Sequence, residues 1–442
     1  MERDDARAGA AARLLKRVAD VEPHETVAVI TSFLLFFCVL GGYFAVRPVR
    51  ETVGTILGRE RVADLFGIVW IVSLAIIPAY GWLCSRYRRS VFLPWIYGFV
   101  AVSLIGVGML LREADDLIFV GQFFFVFISV VNLFVVSVFW SFLLEMFNPG
   151  QTKRLFGFIA AGGTAGALTG PLLTDVFVGM IGNSGVLFMG AGLFTIAIAM
   201  QRILLRVSAH SDWTRNELAP RNDRPMGGNP FAGVTLILKS PYLLGITTFV
   251  ILLATVNTFL YFEQLRVVGD TFADVTERTR VFSRIDYTVQ TLTILSQFII
   301  TGRLAKKWGV VVLLTAVPIA MVGGFLLLAA TGTFAVLVGA MITRRVGEYA
   351  FVRPGREMLF GPVDLETKYK AKNTIDVPVY RGGDALTAQI SNVLSARGSS
   401  STVALIAAGV AAVWAVNGYL IGKARDRRGD TAAPARTTVQ EE

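Results

Sequence analysis

Histidine and cysteine are almost missing from this sequence, with two of each in 442 residues. His24 and His210 have no partner at metal-ligand spacing, and no Ser/His/Asp or Cys/His arrangement emerges. No metal site, cofactor or hydrolase triad is therefore expected, and the chain does not read as an enzyme. Cys38 and Cys84 form no CxxC pair or framework, which removes redox chemistry. Charge is scarce as well: 17% of residues are charged, against 54% hydrophobic. No soluble domain of this size needs so much apolar side chain, so the class is an all-α polytopic membrane protein.

Uncharged runs of about 20 residues, the length that crosses roughly 30 Å of hydrocarbon, recur along the chain. They are Val27 to Val46, Leu65 to Ser85, Ser90 to Leu111, Leu117 to Leu144, Leu155 to Thr174, Val176 to Gln201, Ser240 to Phe262 and Gly398 to Gly422. Trp308 to Thr343 is too long for one crossing and is divided by Thr331, Gly332 and Thr333. Less apolar crossings are expected at Phe282 to Gly302 and Ile375 to Ala396, because neighbouring helices can shield polar residues. The count is twelve transmembrane helices. The polar, proline- and glycine-containing stretch 207–239 reads as a linker between six-helix bundles at 27–206 and 240–424. Residues 1–26 read as a cytoplasmic arm rather than a cleavable leader, and 425–442 as a disordered cytoplasmic tail.

The net charge of +10 is distributed in alternate loops. Arg86, Arg88 and Arg89 follow the second span, Lys153 and Arg154 precede the fifth, and Arg202 to Arg224 follow the sixth. Arg303, Lys306 and Lys307 follow the eighth, Lys368, Lys370 and Lys372 the tenth, and Lys423 to Arg428 the last. By the positive-inside rule these face the cytoplasm, placing both termini inside, in a bacterial inner membrane. The basic excess is then topology and not a nucleic-acid footprint.

Charge and information concentrate between Val338 and Asp384. Six charges from Arg344 to Glu357, at roughly 2.5 to 3.5 kcal/mol each, would cost on the order of 15 to 20 kcal/mol if they faced lipid at full depth. They must line protein or water. On a regular helix Arg345, Glu348, Tyr349, Arg353 and Arg356 fall within an arc of roughly 140°, one face that suits an anion. Tyr43, Arg47, Arg50 and Glu51 share a face at the end of the first span; they either add to that cavity or sit beyond the membrane as an amphipathic extension. In the fourth span Gln122, Asn132 and Ser137 are expected to face inward. In the fifth, Gly162, Gly166 and Gly170 make two GxxxG steps, read as close helix packing rather than a phosphate loop.

Gly81 to Arg89 and Gly302 to Gly309 both resemble the GxLADRxGRR signature of the major facilitator superfamily, with Ser85 and Lys306 at the acidic position. The two leading glycines lie 221 residues apart, half the chain. The resemblance implies two pseudo-symmetric six-helix bundles with substrate bound near the midplane. Helices one, four, seven and ten would line the cavity, and Arg86, Arg89, Lys153, Arg154, Lys306 and Lys307 would act in the gate. The run Arg353 to Asp364, followed by Lys368, Lys370, Lys372, Ile375 and Asp376, is similar to a stretch of the bacterial and plastid ATP/ADP translocases. Tyr43, Arg47, Arg50, Glu51, Lys153, Arg154, Ser240 to Tyr242 and Asn257 extend that likeness. Leu260 and Gln264 stand where the family carries an acid and a lysine, and Ile128 where it carries a glutamate.

The resemblance implies exchange of an anionic, phosphorylated solute such as a nucleotide by a monomer in the lipid bilayer, with no nucleic-acid partner. Its binding residues would be Tyr43, Arg47, Arg50, Glu51, Asn132, Asn257, Arg345, Glu348, Tyr349, Arg353, Arg356, Glu357, Asp376 and Arg381, Arg47 and Arg50 facing Arg353 and Arg356. A proton-coupled transporter of another organic anion or lipid-like solute, with an acid such as Glu51, Glu348, Glu357, Asp376 or Asp384 as carrier, remains an alternative. A non-transporting receptor or assembly partner is the third.

Overall fold

The computed structural model describes residues 21–87, 89–113, 117–209, 232–297 and 302–432. The arm to residue 20, most of the linker and the end of the tail lie outside them. Among the described residues all regular structure is helical, in twelve long helices, with a short helix Ala232–Lys239 before the seventh and a 3-10 turn Pro23–Glu25 before the first. In chain order they are α1 Thr26–Leu57, α2 Arg59–Arg86, α3 Arg89–Glu113 and α4 Leu117–Met146. The run Pro149–Ala209 is broken at Gly182, whose φ of 66° only glycine adopts readily, into α5 (149–181) and α6 (183–209). Then come α7 Pro241–Thr271, α8 Val275–Ser296 and α9 (310–331, after a break at Gly309), followed by α10 (334–359), α11 (365–397) and α12 Ser400–Ala432.

The separation of α9 from α10 falls at the Thr331, Gly332, Thr333 break, where Gly332 takes a φ of 57°. Nine of the twelve helices lie in runs long and apolar enough to cross a membrane. The three that do not are α8, α10 and α11, and they carry the densest polar chemistry. Both α10 and α11 are interrupted by a π turn, at Glu348–Val352 and Ile375–Val379. The second contains Pro378, whose missing N–H cannot continue an α ladder.

By contacts the chain divides into two compact units. One comprises Met1–Val53, Ile77–Pro225 and Asp274–Tyr287; the other comprises Gly54–Ile76, Met226–Ala273 and Thr288–Glu442. In the first unit α1 and α5 pack backbone to backbone: a Cβ on Gly162 would strike the Phe33 carbonyl, on Gly166 the Phe37 carbonyl, and on Gly170 the Gly41 carbonyl. The close approach lets Thr174 Oγ1 donate to the Ala45 carbonyl at 2.8 Å. The GxxxG steps are therefore a helix-packing seam. In the second unit α7 begins with Ser240 as N-cap, its Oγ accepting from the Leu243 amide at 3.3 Å, and Pro241 in the first turn.

Candidate substrate-binding and gating residues

In the first unit the charged end of α1 is helical throughout, since α1 continues eleven residues past the uncharged run. Arg47 reaches α8: its Nη1 donates to Asp286 Oδ1 at 3.2 Å and Oδ2 at 3.3 Å, and its Nε lies 3.7 Å from Glu51 Oε1. Arg50 donates to Glu51 Oε1 at 2.5 Å and to Ser129 Oγ of α4 at 3.1 Å, with its guanidinium over the Phe125 ring. Glu51 and Asp286 are each 3% exposed. Among the described residues, two arginines thus meet two buried carboxylates, a charge-balanced set. Tyr43 is buried on the same helix, and Asn132 is half-buried on α4.

Asp286 was not among the expected site residues. The available signal was an acid inside a crossing, together with Thr279, Ser283 and Thr293, which share one face of α8 at spacings of four, seven and fourteen.

The second unit is different in balance. Arg344 Nη1 donates to Glu348 Oε2 at 2.8 Å, and Arg353 Nη2 reaches Glu348 Oε1 at 3.5 Å. The π turn explains the second contact. It bonds the Arg353 amide to the Glu348 carbonyl, so residues five apart are stacked where four apart would be in an α-helix. The sequence arc assumed an uninterrupted period, and the extra residue rotates everything after Val352 relative to Arg345 and Glu348. Arg353 also lies 4.4 Å over the Tyr349 ring.

Arg356 Nη2 pairs with Asp376 Oδ1 of the α11 π turn at 3.2 Å, and Lys372 with Glu357 at 2.7 Å. Arg381 stands 3.8 Å from Asp384, which accepts from Thr258 Oγ1 of α7 at 2.9 Å. Asn257 donates to the Tyr380 hydroxyl at 3.4 Å. Arg345 is buried on α10. Among the described residues, five cations (Arg344, Arg353, Arg356, Lys372 and Arg381) therefore pair with four carboxylates (Glu348, Glu357, Asp376 and Asp384). Thr258 and Tyr380 are the members that the sequence pattern did not mark.

Of the expected gate residues, Arg154 at the start of α5 pairs with Glu25 at 2.8 Å, while Gln151 donates to the same oxygen at 2.8 Å. Lys153 and Arg86 are exposed. The side chains of Arg89, Lys306 and Lys307 lie outside the described residues. Glu22, His24 and Glu25 place ligand atoms within 4.8 Å of one another, but Glu25 is already committed to Arg154 and Gln151.

Twelve helices, nine of them in membrane-length apolar runs, define a polytopic membrane protein. The chain belongs to the Major Facilitator Superfamily, whose family model matches residues 32–354. Comparison with curated proteins gives no match. Among solved structures, the chain is similar to a bacterial homologue of the iron transporter ferroportin in an inward-facing state (15% identity, TM-score 0.64, covering 89% of this chain and 98% of that one). It is also similar to the nucleoside transporter NupG (17%, 0.63, 90% and 98%). A bacterial homologue of the human lysosomal transporter Spinster, inward-facing and unoccupied, is a third (13%, 0.60, 92% and 99%). At these identities the likeness is one of fold.

Proposed function

We propose that the protein is a secondary active transporter of an anionic, phosphorylated solute, with nucleotide exchange of the ATP/ADP type as the specific reading. The bundles are assigned to 27–206 and 240–424, with both termini cytoplasmic in a bacterial inner membrane. The observation that carries the reading is the cation surplus on α10 and α11, against the balanced cluster on α1, α4 and α8. Charged residues in a membrane interior mark a substrate or ion path by default, and a surplus of cations suits an anion. Arginine forks bind phosphate oxygens in pairs, each charge-assisted bond worth roughly 1.5 to 3 kcal/mol. Arg353, with a side chain 54% exposed, and Arg356 are the residues assigned to that contact. The nucleoside carried by NupG supports the nucleotide reading only through a shared fold.

The test is counterflow of labelled ADP into proteoliposomes preloaded with ADP. Uptake is expected, and Arg353→Gln is expected to weaken it by roughly tenfold or more, the loss of one such bond. Absence of uptake by folded, oriented protein contradicts the nucleotide reading. Proton coupling is the second reading, favoured by Asp384, a 3% exposed carboxylate on α11 held by Thr258 with its arginine at 3.8 Å. Uptake driven by an imposed pH gradient without internal counter-substrate selects it.

A further inference from the structure

The short helix Ala232–Lys239 leads through Ser240 into α7 and packs on the start of α11. Gly233 permits that packing, since a Cβ there would strike Thr374 Oγ1 and come within 2.5 Å of the Lys370 carbonyl. Gly233 and Ile237, four residues apart, are the buried stripe of the helix. One residue on, Val234 and Leu238 form a second stripe that is exposed, Leu238 at 67%. One residue further, exposed Thr235 and Lys239 form a third. At about 100° per residue these stripes make a face on protein, an apolar face and a polar face. Water is a poor partner for the second of them.

Neighbouring side chains set the level at which this helix lies. It ends one residue before α7, a run long and apolar enough to cross a membrane. The end of α12 passes alongside: a Cβ on Gly245 would meet Ile421 Cγ2 at 2.8 Å, and the Arg428 guanidinium lies 4.5 Å over the Tyr242 ring. The Tyr242 hydroxyl donates to the Leu359 carbonyl at 2.7 Å, which brings the end of α10 to the same level. On α12, Lys423 Nζ stands 4.6 Å over the Tyr419 ring, both residues being exposed. An exposed tyrosine with a lysine one turn beyond it, at the end of an apolar run, suits the boundary between hydrocarbon and headgroups. Within 232–239 and 419–428 the cations are Lys239, Lys423, Arg425, Arg427 and Arg428, and the one acid is Asp426, which Arg425 meets at 3.1 Å. All of these residues belong to the second unit.

An amphipathic helix beside a basic cluster at this level suits anionic headgroups with acyl chains beneath them. A soluble acidic partner accounts for the charges but not for an apolar stripe so close to a span. We propose that the short helix and the end of α12 form a binding site for anionic phospholipid of the adjoining leaflet. Lys239, Arg427 and Arg428 take the headgroup phosphate, and Val234 and Leu238 lie on the acyl chains. The inference rests on the membrane embedding and not on the identity of the solute.

The test uses the full chain with Cys38→Ala, Cys84→Ser and Leu238→Cys, an environment-sensitive fluorophore attached at position 238, in phosphatidylcholine vesicles. Brominated lipid is expected to quench the fluorophore. Brominated phosphatidylglycerol is expected to do so at a mole fraction about fivefold or more below that of brominated phosphatidylcholine, the scale of one basic group near an anionic surface. Lys239→Gln with Arg427→Gln and Arg428→Gln is expected to remove the preference, while Arg427→Lys with Arg428→Lys keeps it. Equal quenching by the two lipids, or a preference that survives the triple substitution, overturns the headgroup site. Quenching by aqueous iodide without quenching by either lipid also overturns it and leaves the face to a soluble partner. The two lipids are compared on one folded protein, so no variant's yield decides the outcome. No solute is needed, so a failed ADP assay beside a phosphatidylglycerol preference sinks the nucleotide reading and leaves the lipid site standing.

Discussion

Glu348 sits between Arg344, one α-turn before it, and Arg353, one π-turn after it. The two arginines differ in what they can give up. Arg344 is 7% exposed, so Glu348→Gln strands a buried charge and is expected to cost about 3 to 5 kcal/mol, read as a large fall in thermal midpoint. Arg353→Gln removes a half-exposed partner and is expected to cost under about 1 kcal/mol of stability. If the two substitutions lower the midpoint equally, that ranking is wrong. Outside the membrane, Asp364 caps α11, and the Thr367 amide donating to it at 2.9 Å holds its carboxyl below the usual range. A depressed folded value means a stabilising contribution that is full at neutral pH and lost as pH falls through that value. The midpoints of wild type and Asp364→Ala are therefore expected to converge on acidification, and a constant gap contradicts the cap. At this scale the sequence marked Arg47, Arg50, Arg353 and Arg356 as charges to be accounted for. It could not show that Asp286, 239 residues away, answers Arg47, because long-range pairing leaves no local pattern.

Among the helices, periodicity was legible where the chain is regular. Nine of the twelve helices follow from apolar length, and the α9–α10 break from its Thr-Gly-Thr triplet. The π turns of α10 and α11 were not legible, since an extra residue in a turn changes bonding and not composition. Their consequence is a rotated set of arginines after Val352. The GxxxG steps were legible, and they support a direct prediction. Gly166→Val drives a side chain into the Phe37 carbonyl and Gly41 amide of α1 and is expected to destabilise by at least about 1 to 3 kcal/mol. Gly157→Ala, with open space around its Cβ, is expected to be near neutral. Equal folded yields of the two variants in detergent would show that α1 and α5 do not depend on this approach.

At the level of the whole molecule, Major Facilitator Superfamily membership accounts for the scarcity of charge and the half-chain offset between signature loops. Solute class is a matter of a few side chains, which is why a nucleoside transporter and a homologue of an iron transporter both resemble this chain without deciding its cargo. Among the described residues, paired cations outnumber carboxylates on α10 and α11. The most direct measurement of what that surplus binds is the thermal midpoint of purified protein with ADP, with adenosine and with inorganic phosphate. A ligand bound to the folded state raises stability by RT ln(1 + [L]/Kd), so saturation at about 100 Kd is worth roughly 2.7 kcal/mol. A rise with ADP that adenosine does not produce, and that Arg353→Gln with Arg356→Gln abolishes, is the expected result. Equal rises with ADP and adenosine, or an ADP rise that survives both substitutions, would contradict it.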